Sequence, residues 1–408
     1  MTMSWPVAYR YFVLAAACIL AGLFGALTIY VLLIGLVCGA LALVATRQRP
    51  WLKGDLAARL LAVAFVLFGV SFAGSAVVVG DLIYVLNYLP LVLYAPLSVI
   101  LAGGAGERNH VRLCTIALFG TAVLACWAIV QKFGFGVRRP EGIEIDTIAF
   151  AHTAIITGFI AGTGIFHRAS RWRLAFLLGP ALGTIVALMT TSRGPLLAVP
   201  VLCVILLVAW TRRPWVSISL AAILALGSLG AVLVLAPKTF DRVATISKNV
   251  SQLAKTGDVL ENSAGQRVDM YTAAWRAFLD APVFGHGWER KFPAITPYLD
   301  PDSRVLRREH RHLHSDPVDV AVANGSVGLL AHLLMLLAPL LGAAFSPRDS
   351  QYHVRMTVCA MLSTGYGIFG LTYLLFGFEY HTTLYVTLAA IAIGYCRDVP
   401  PTKDGRSG

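Results

Sequence analysis

Charge is what this sequence has least of. Asp, Glu, Lys and Arg make up 13% of its 408 residues, about half the ~25% of a typical soluble domain. Hydrophobic residues make up 57%. The first figure excludes an ordinary globular enzyme and the second a disordered chain. Cysteine does not supply a scaffold either. The seven, at 18, 38, 114, 126, 203, 359 and 396, all fall inside or beside apolar runs, which indicates neither a disulfide framework nor a zinc cluster. A P-loop pattern, an internal repeat and a low-complexity tract are also missing.

What is present is a series of long uncharged stretches. A bilayer core about 30 Å thick needs ~20 apolar residues per helix. The run from Tyr11 to Thr46 carries no charge and is long enough for a tight helical hairpin turning near residues 22–28. The sequence Ala15-Ala16-Ala17-Cys18 faintly resembles a lipoprotein cleavage site. The apolar run continues to Ala45, however, so the start is read as a retained first span. Further spans are expected at 60–80, 82–101, 111–131, 148–166, 174–191, 195–210, 216–236, 317–345, 354–375 and 382–396. The fold class is therefore an all-α polytopic membrane protein with about 12 transmembrane helices.

The net charge of +12 follows mainly from topology and does not call for nucleic acid. Placing both termini in the cytoplasm puts Arg10, Arg47, Arg49, Lys53, Arg59, Arg108, Arg112, Arg168, Arg171 and Arg173 on the inner side. The same holds for Arg212, Arg213, Arg348, Arg355, Arg397, Lys403 and Arg406. The short outer loops then hold only Lys132, Arg138, Arg139 and Arg193, as the positive-inside rule requires. A basic balance also suits membrane lipids of anionic charge, or a phosphorylated lipid substrate.

One long polar segment interrupts the series and divides the chain. Residues 1–236 form nine spans, 237–316 a mainly helical periplasmic loop domain, 317–396 three more spans and 397–408 a cytoplasmic tail. A loop so far above the ~4–6-residue median is functional or disordered, and its composition argues for order. Val268, Tyr271, Trp275, Phe278 and Leu279 recur at helical spacing. Asp280-Ala281-Pro282 stops that helix and Gly285-His286-Gly287 follows as a turn.

Two polar clusters stand at the outer ends of helices. In Thr190-Thr191-Ser192-Arg193-Gly194-Pro195, Gly and Pro end one helix and begin the next, which sets Arg193 beside a helix N-terminus. A phosphate there takes both the backbone dipole and a guanidinium fork; the bland alternative is an arginine that snorkels to lipid headgroups. In His310-Arg311-His312-Leu313-His314-Ser315-Asp316-Pro317, Ser315 or Asp316 can cap the next helix, with Pro317 opening it. His314 then sits just outside a helix N-terminus, where positive potential favours the neutral, proton-accepting imidazole of a general base. Asp316 or Asp319 can orient its second ring nitrogen. His310, His312 and His314 alternate as metal ligands on a strand would, though no fourth ligand is assigned; for His310 and His312 a wet loop edge is the simpler account. Arg267 opens the amphipathic helix as a bidentate phosphate ligand, or as a partner of Asp269 or Glu261. Arg138 and Arg139, before Glu141, add positive field or form a solvated loop tip.

These residues resemble a known family. His314-Ser315, nine residues and Gly325 are similar to the His-[Asn/Ser/Gln]-x9-Gly signature of O-antigen ligases. Ser192-Arg193-Gly194 resembles the arginine turn of the wider ligase/polymerase superfamily, and Arg267, Trp275, Pro282, Gly285 and Gly287 its Arg…Trp…Pro-x-x-Gly-x-Gly stretch. Val318 stands where leucine is frequent in that family, a matter of packing. The resemblance implies a multi-pass protein of the bacterial inner membrane with its site facing the periplasm, and a metal- and nucleotide-independent, inverting glycosyltransferase without cofactor. It implies an undecaprenyl-pyrophosphate-linked O-antigen as donor and a sugar hydroxyl of the lipid A–core oligosaccharide as acceptor. It also implies His314 as base, Arg193, Arg267 and Arg139 on the pyrophosphate, and Ser315, Asp316 and Asp319 as positioning groups. One dominant outer loop favours ligase over polymerase. A polymerase, a protein O-oligosaccharyltransferase or, in another class, a lipid or solute transporter are the alternatives. Sparse intramembrane charge weighs against the last.

Overall fold

The computed structural model describes residues 5–45, 55–104, 106, 108–167, 171–211, 263–300, 303, 305–306 and 312–398. The expected span at 216–236, Arg212, Arg213, Glu261, His310 and Arg311 lie outside these residues. Among those described, helices and turns are the only regular structure. The protein is an all-helical, multi-pass membrane protein.

The first apolar run forms α1 (Val7–Gly25) and α2 (Thr28–Leu41). They part at Gly25, whose φ of +35° and ψ of −109° interrupt the helix within the window where the sequence places a turn. The loop before the sixth helix lies against this break, with Ile143 N–H donating to the Leu23 carbonyl at 2.6 Å. Then come α3 (Leu56–Ser75), α4 (Val79–Ala102), α5 (Asn109–Gly134), α6 (Thr147–Phe166), α7 (Arg173–Met189) and α8 (Arg193–Thr211). The long polar segment contributes α9 (Ser263–Asp280) and the short α10 (Lys291–Ile295). The chain returns as α11 (Asp316–Ala344), α12 (Tyr352–Gly370) and α13 (residues 379–395). Seven of the described helices, α1, α3, α4, α5, α6, α8 and α11, are long and apolar enough to cross a membrane.

Helices α6 and α13 form the centre and are buried along nearly their whole length. A helix surrounded by others must satisfy its polar side chains internally. Thr153 Oγ1 donates to the Ala149 carbonyl at 3.0 Å and Thr157 Oγ1 to that of Thr153 at 2.7 Å. The Thr121 hydroxyl donates to Thr157 Oγ1 from α5 at 3.2 Å. The last of these joins two helices where apolar packing gives no preference over lipid.

Two expectations need correction. Arg355, counted among the inner loop charges, is fully buried. It pairs with Asp349 at 2.7 Å and donates to the Cys396 carbonyl at 2.9 Å, to Ser346 Oγ at 2.9 Å and to the Pro347 carbonyl. It therefore pins the α11–α12 loop to the end of α13. The packed face of α9 also differs from expectation. Met270, Ala273, Ala274 and Ala277 are buried, whereas Val268, Trp275 and Leu279 are exposed. Alanine weighs little in a hydrophobic pattern, yet its small side chain lets α9 approach Leu313, Val322 and Ile295 closely.

Candidate functional site

The site is built on four chain segments at one end of the bundle. The first is the turn between α7 and α8. Thr190 is fully buried and Thr191 has φ +57°, a left-handed conformation rare for a β-branched residue. Helix α8 begins with Arg193 itself and Ser192 is its N-cap, so Pro195 is the third helical residue rather than the first. Arg193 is exposed on the opening turn, where the first backbone N–H groups have no helical partner.

Arg139 comes to this turn from the α5–α6 loop. Its Nε donates to the Thr190 carbonyl and its Nη2 to Ser192 Oγ, each at 3.2 Å. Lys132 donates to the Met189 carbonyl at 2.9 Å. Both cations therefore hold the Arg193 turn in place. Two of Arg139's five donors are committed to this turn, a supporting contact beside the expected pyrophosphate role.

The second segment carries His314, the only other described non-glycine residue with positive φ (+57°). Strain of this kind costs about 1–3 kcal/mol and persists where the surroundings over-determine it. Here the determinant is Asp319. Its two carboxylate oxygens accept from Leu313 N–H at 3.1 and 3.0 Å, while its own N–H donates to the Ser315 carbonyl at 2.8 Å. The residues on both sides of His314 are thus held by one residue of α11. The ring of His312 lies edge-on to that of His314 at 4.5 Å.

The cap residues lie at the start of α11. Ser315 is the N-cap of α11, but its side chain makes no capping bond. Asp316, fully buried, accepts from the N–H groups of Leu375 at 2.7 Å and Phe376 at 3.3 Å. Asp319 thus shapes the backbone around His314, and Asp316 ties the start of α11 to residues 375 and 376.

The third segment is the α12–α13 loop, residues 371–378, which the sequence does not mark. Thr372 is its hub. An added Cβ on Gly194 would lie 2.4 Å from Thr372 Oγ1, so a side chain larger than hydrogen would push the arginine turn away. From the other side Arg267 donates to the Thr372 carbonyl at 3.3 Å. Tyr373 donates its hydroxyl to Asp146, whose other oxygen caps α6 through Ile148 and Ala149 N–H.

The fourth segment is α9. Arg267 is half-buried and makes the Thr372 contact instead of a bridge to Asp269, whose carboxylate accepts from Ser303 Oγ at 3.0 Å. One turn along, Tyr271 reaches the His314 carbonyl at 3.5 Å, and burial raises its phenol above the usual range. Arg267 and the turn beside Arg193 thereby meet at Thr372, and Tyr271 links α9 to the His314 backbone, with Thr372, Tyr271 and the Tyr373–Asp146 pair as additions. A tyrosine one turn after Arg267 was the one visible signal among these.

Residues 282–287 dock on a break in α11. Gly325, with φ +64° and ψ −158°, interrupts the helix. The N–H groups of His286 and Gly287 donate to the Val322 and Ala323 carbonyls at 2.8 and 2.9 Å, while Ser326 and Val327 donate back to Pro282 and Val283. The Asn324 carbonyl, also freed, takes Ser71 Oγ at 2.8 Å. A Cβ on Gly285 would meet Ala323 and Asn324 backbone at 2.5 Å, and one on Gly325 the Val283 carbonyl at 2.3 Å. The Pro-x-x-Gly-x-Gly stretch and the glycine eleven residues after His314 are therefore two halves of one joint.

Among the described residues no group of three or more His, Cys, Asp or Glu side chains is placed to hold a metal ion.

Residues 174–333 match the model of a family described as O-Antigen ligase. This segment is similar to the O-antigen ligase family. It contains Arg193, Arg267, His314 and Gly325, whereas Arg139 and the Thr372 hub lie beyond it. The chain is 20% identical over 209 residues to the O-antigen ligase of Escherichia coli (strain K12), covering 50% of this chain and 48% of that protein. It is 25% identical over 262 residues to an uncharacterized protein of Haemophilus influenzae, covering 61% of this chain and 63% of the relative. The match to the O-antigen ligase thus spans about half the length of that relative.

Proposed function

We propose that this protein is an O-antigen ligase of the bacterial inner membrane. It transfers a finished glycan from undecaprenyl pyrophosphate to a sugar hydroxyl of the lipid A–core oligosaccharide at the periplasmic face, completing lipopolysaccharide. What supports this is that Arg267 and the Gly194 turn next to Arg193 both meet Thr372, while Tyr271, one turn along from Arg267, reaches the His314 carbonyl. The family match over 174–333 supports the same class of chemistry.

In this scheme His314 accepts the proton of the acceptor hydroxyl, and the hydroxyl oxygen attacks the anomeric carbon of the donor glycan. The bond from that carbon to the pyrophosphate oxygen breaks, and undecaprenyl pyrophosphate leaves with the electron pair. Arg193 and Arg267 hold the pyrophosphate and stabilise the charge growing on the leaving oxygen, as preorganised donors do. Attack opposite the leaving group inverts the anomeric centre. Energy comes from the donor's own phosphoester bond, so the scheme needs neither nucleotide nor metal.

The test is deletion of the gene in its native host, with the extracted lipopolysaccharide resolved on a gel. Complete loss of capped lipopolysaccharide, with full-length glycan accumulating on the carrier lipid, is the expected result. Core bearing a single repeat unit would instead assign a polymerase. An unchanged ladder would overturn the proposal and turn attention to a protein acceptor or to transport.

A further inference from the structure

Lys291, the first residue of α10, is an unusual lysine. It lies in the outer segment, far in sequence from any membrane span, yet is only 2% exposed. Its ammonium sits 3.4 Å from the centre of the Trp288 ring and 3.1 Å from Asp319 Oδ1, and Asp319 itself is fully buried. Burial pulls the lysine below its ordinary range, an effect that Asp319, Glu289 and Asp316 oppose. A charge kept in such a place without a partner is costly, and removing one member of a buried pair strands the other.

Asp319 is also the residue that holds both neighbours of His314. Its carboxylate takes Leu313 N–H and its backbone N–H reaches the Ser315 carbonyl. Lys291 therefore stands one bond behind the device that keeps His314 at positive φ. Trp288 fixes the lysine from the other side. The indole is 8% exposed, packs near Phe72 and Tyr84, and lies against Gly377 of the α12–α13 loop.

We infer that Lys291 is a positioning residue for transfer: through Asp319 it sets the place of His314. This rests on the reading of His314 as the base. Lys291 reaches no substrate in this account. It acts by holding the carboxylate ionised and in register, so that the Leu313–Ser315 backbone is clamped before substrates arrive. A base displaced by about 1 Å can lose on the order of a hundredfold in rate.

The test is a reconstituted transfer assay with lipid-linked glycan donor and lipid A–core acceptor, comparing wild type, Lys291→Met, Lys291→Arg and His314→Ala. Methionine matches the length and most of the volume of lysine without its charge, whereas arginine keeps the charge and can stack on Trp288. Lys291→Met is expected to lower kcat about a hundredfold with donor KM unchanged, because Arg193 and Arg267 are untouched; Lys291→Arg should recover most of the loss. A role in packing alone would give the reverse order, and that result, or wild-type kcat in folded Lys291→Met, overturns the inference. Should Lys291→Met not fold, Lys291→Met/Asp319→Asn removes both charges of the buried pair and must show the same loss of kcat. An inactive His314→Ala beside a fully active Lys291→Met sinks only the role of Lys291. A fully active His314→Ala removes the base assignment on which it rests.

Discussion

At the scale of single residues, three side chains carry the proposed chemistry and each has a separable test. His314→Ala is expected to abolish transfer while leaving the protein folded and able to bind the lipid-linked donor. Binding without turnover, measured on purified protein in detergent or nanodiscs, checks this; full activity would remove the base. Arg193→Lys distinguishes a phosphate ligand from a lipid anchor, since lysine keeps the charge but not the bidentate fork. A loss of about 10²–10³ in rate is the size seen when one preorganised donor is removed, and wild-type activity in Arg193→Lys would favour the anchor. Arg139 sends two donors to the Thr190–Ser192 turn. Arg139→Ala should therefore lower kcat by loosening Arg193, an effect that Arg139→Lys restores only in part.

At the scale of elements, the joint between residues 282–287 and α11 is the feature most exposed to disruption. Gly325 has a backbone conformation essentially restricted to glycine, and a Cβ there would lie 2.3 Å from the Val283 carbonyl. Strain and overlap together place the cost of Gly325→Ala at about 2–4 kcal/mol. A lowered unfolding temperature of the detergent-solubilised protein is expected, with faster proteolysis between residues 281 and 290. An unchanged melting curve would mean that the segment docks by some other contact. Helix α9 belongs to the same unit. Its small residues face Leu313 and Val322, so any loosening of the joint also shifts Arg267 and Tyr271 relative to His314.

At the scale of the whole molecule, the proposed topology puts the site on the periplasmic side and the Arg355 loop on the cytoplasmic side. Cysteines introduced singly into a background lacking the seven native ones test this directly. A cysteine at Trp275, which is 61% exposed, should react with a membrane-impermeant maleimide in intact spheroplasts. One at Arg348 should react only after the membrane is opened. The reverse pattern would invert the chain and place the lipid-linked donor on the wrong face.

Much of this was legible in the order of residues. Nearly uncharged apolar runs marked the described helices α3 to α8 and α11 to α13, because a bilayer accepts little else, and amphipathic spacing marked α9. Arg193, Arg267 and His314 stood out because glycine, proline and cap residues fix where helices end. The partners of these residues were not legible. Thr372, Asp319's double hold on the His314 loop, the burial of Lys291 and the alanine face of α9 all depend on segments distant in sequence meeting in space. A side chain's type limits what bonds it can form; only the packed chain decides which groups come within reach. That is why Arg355 looked like a loop charge and proved to be a buried staple, and why two glycines forty residues apart form a single joint.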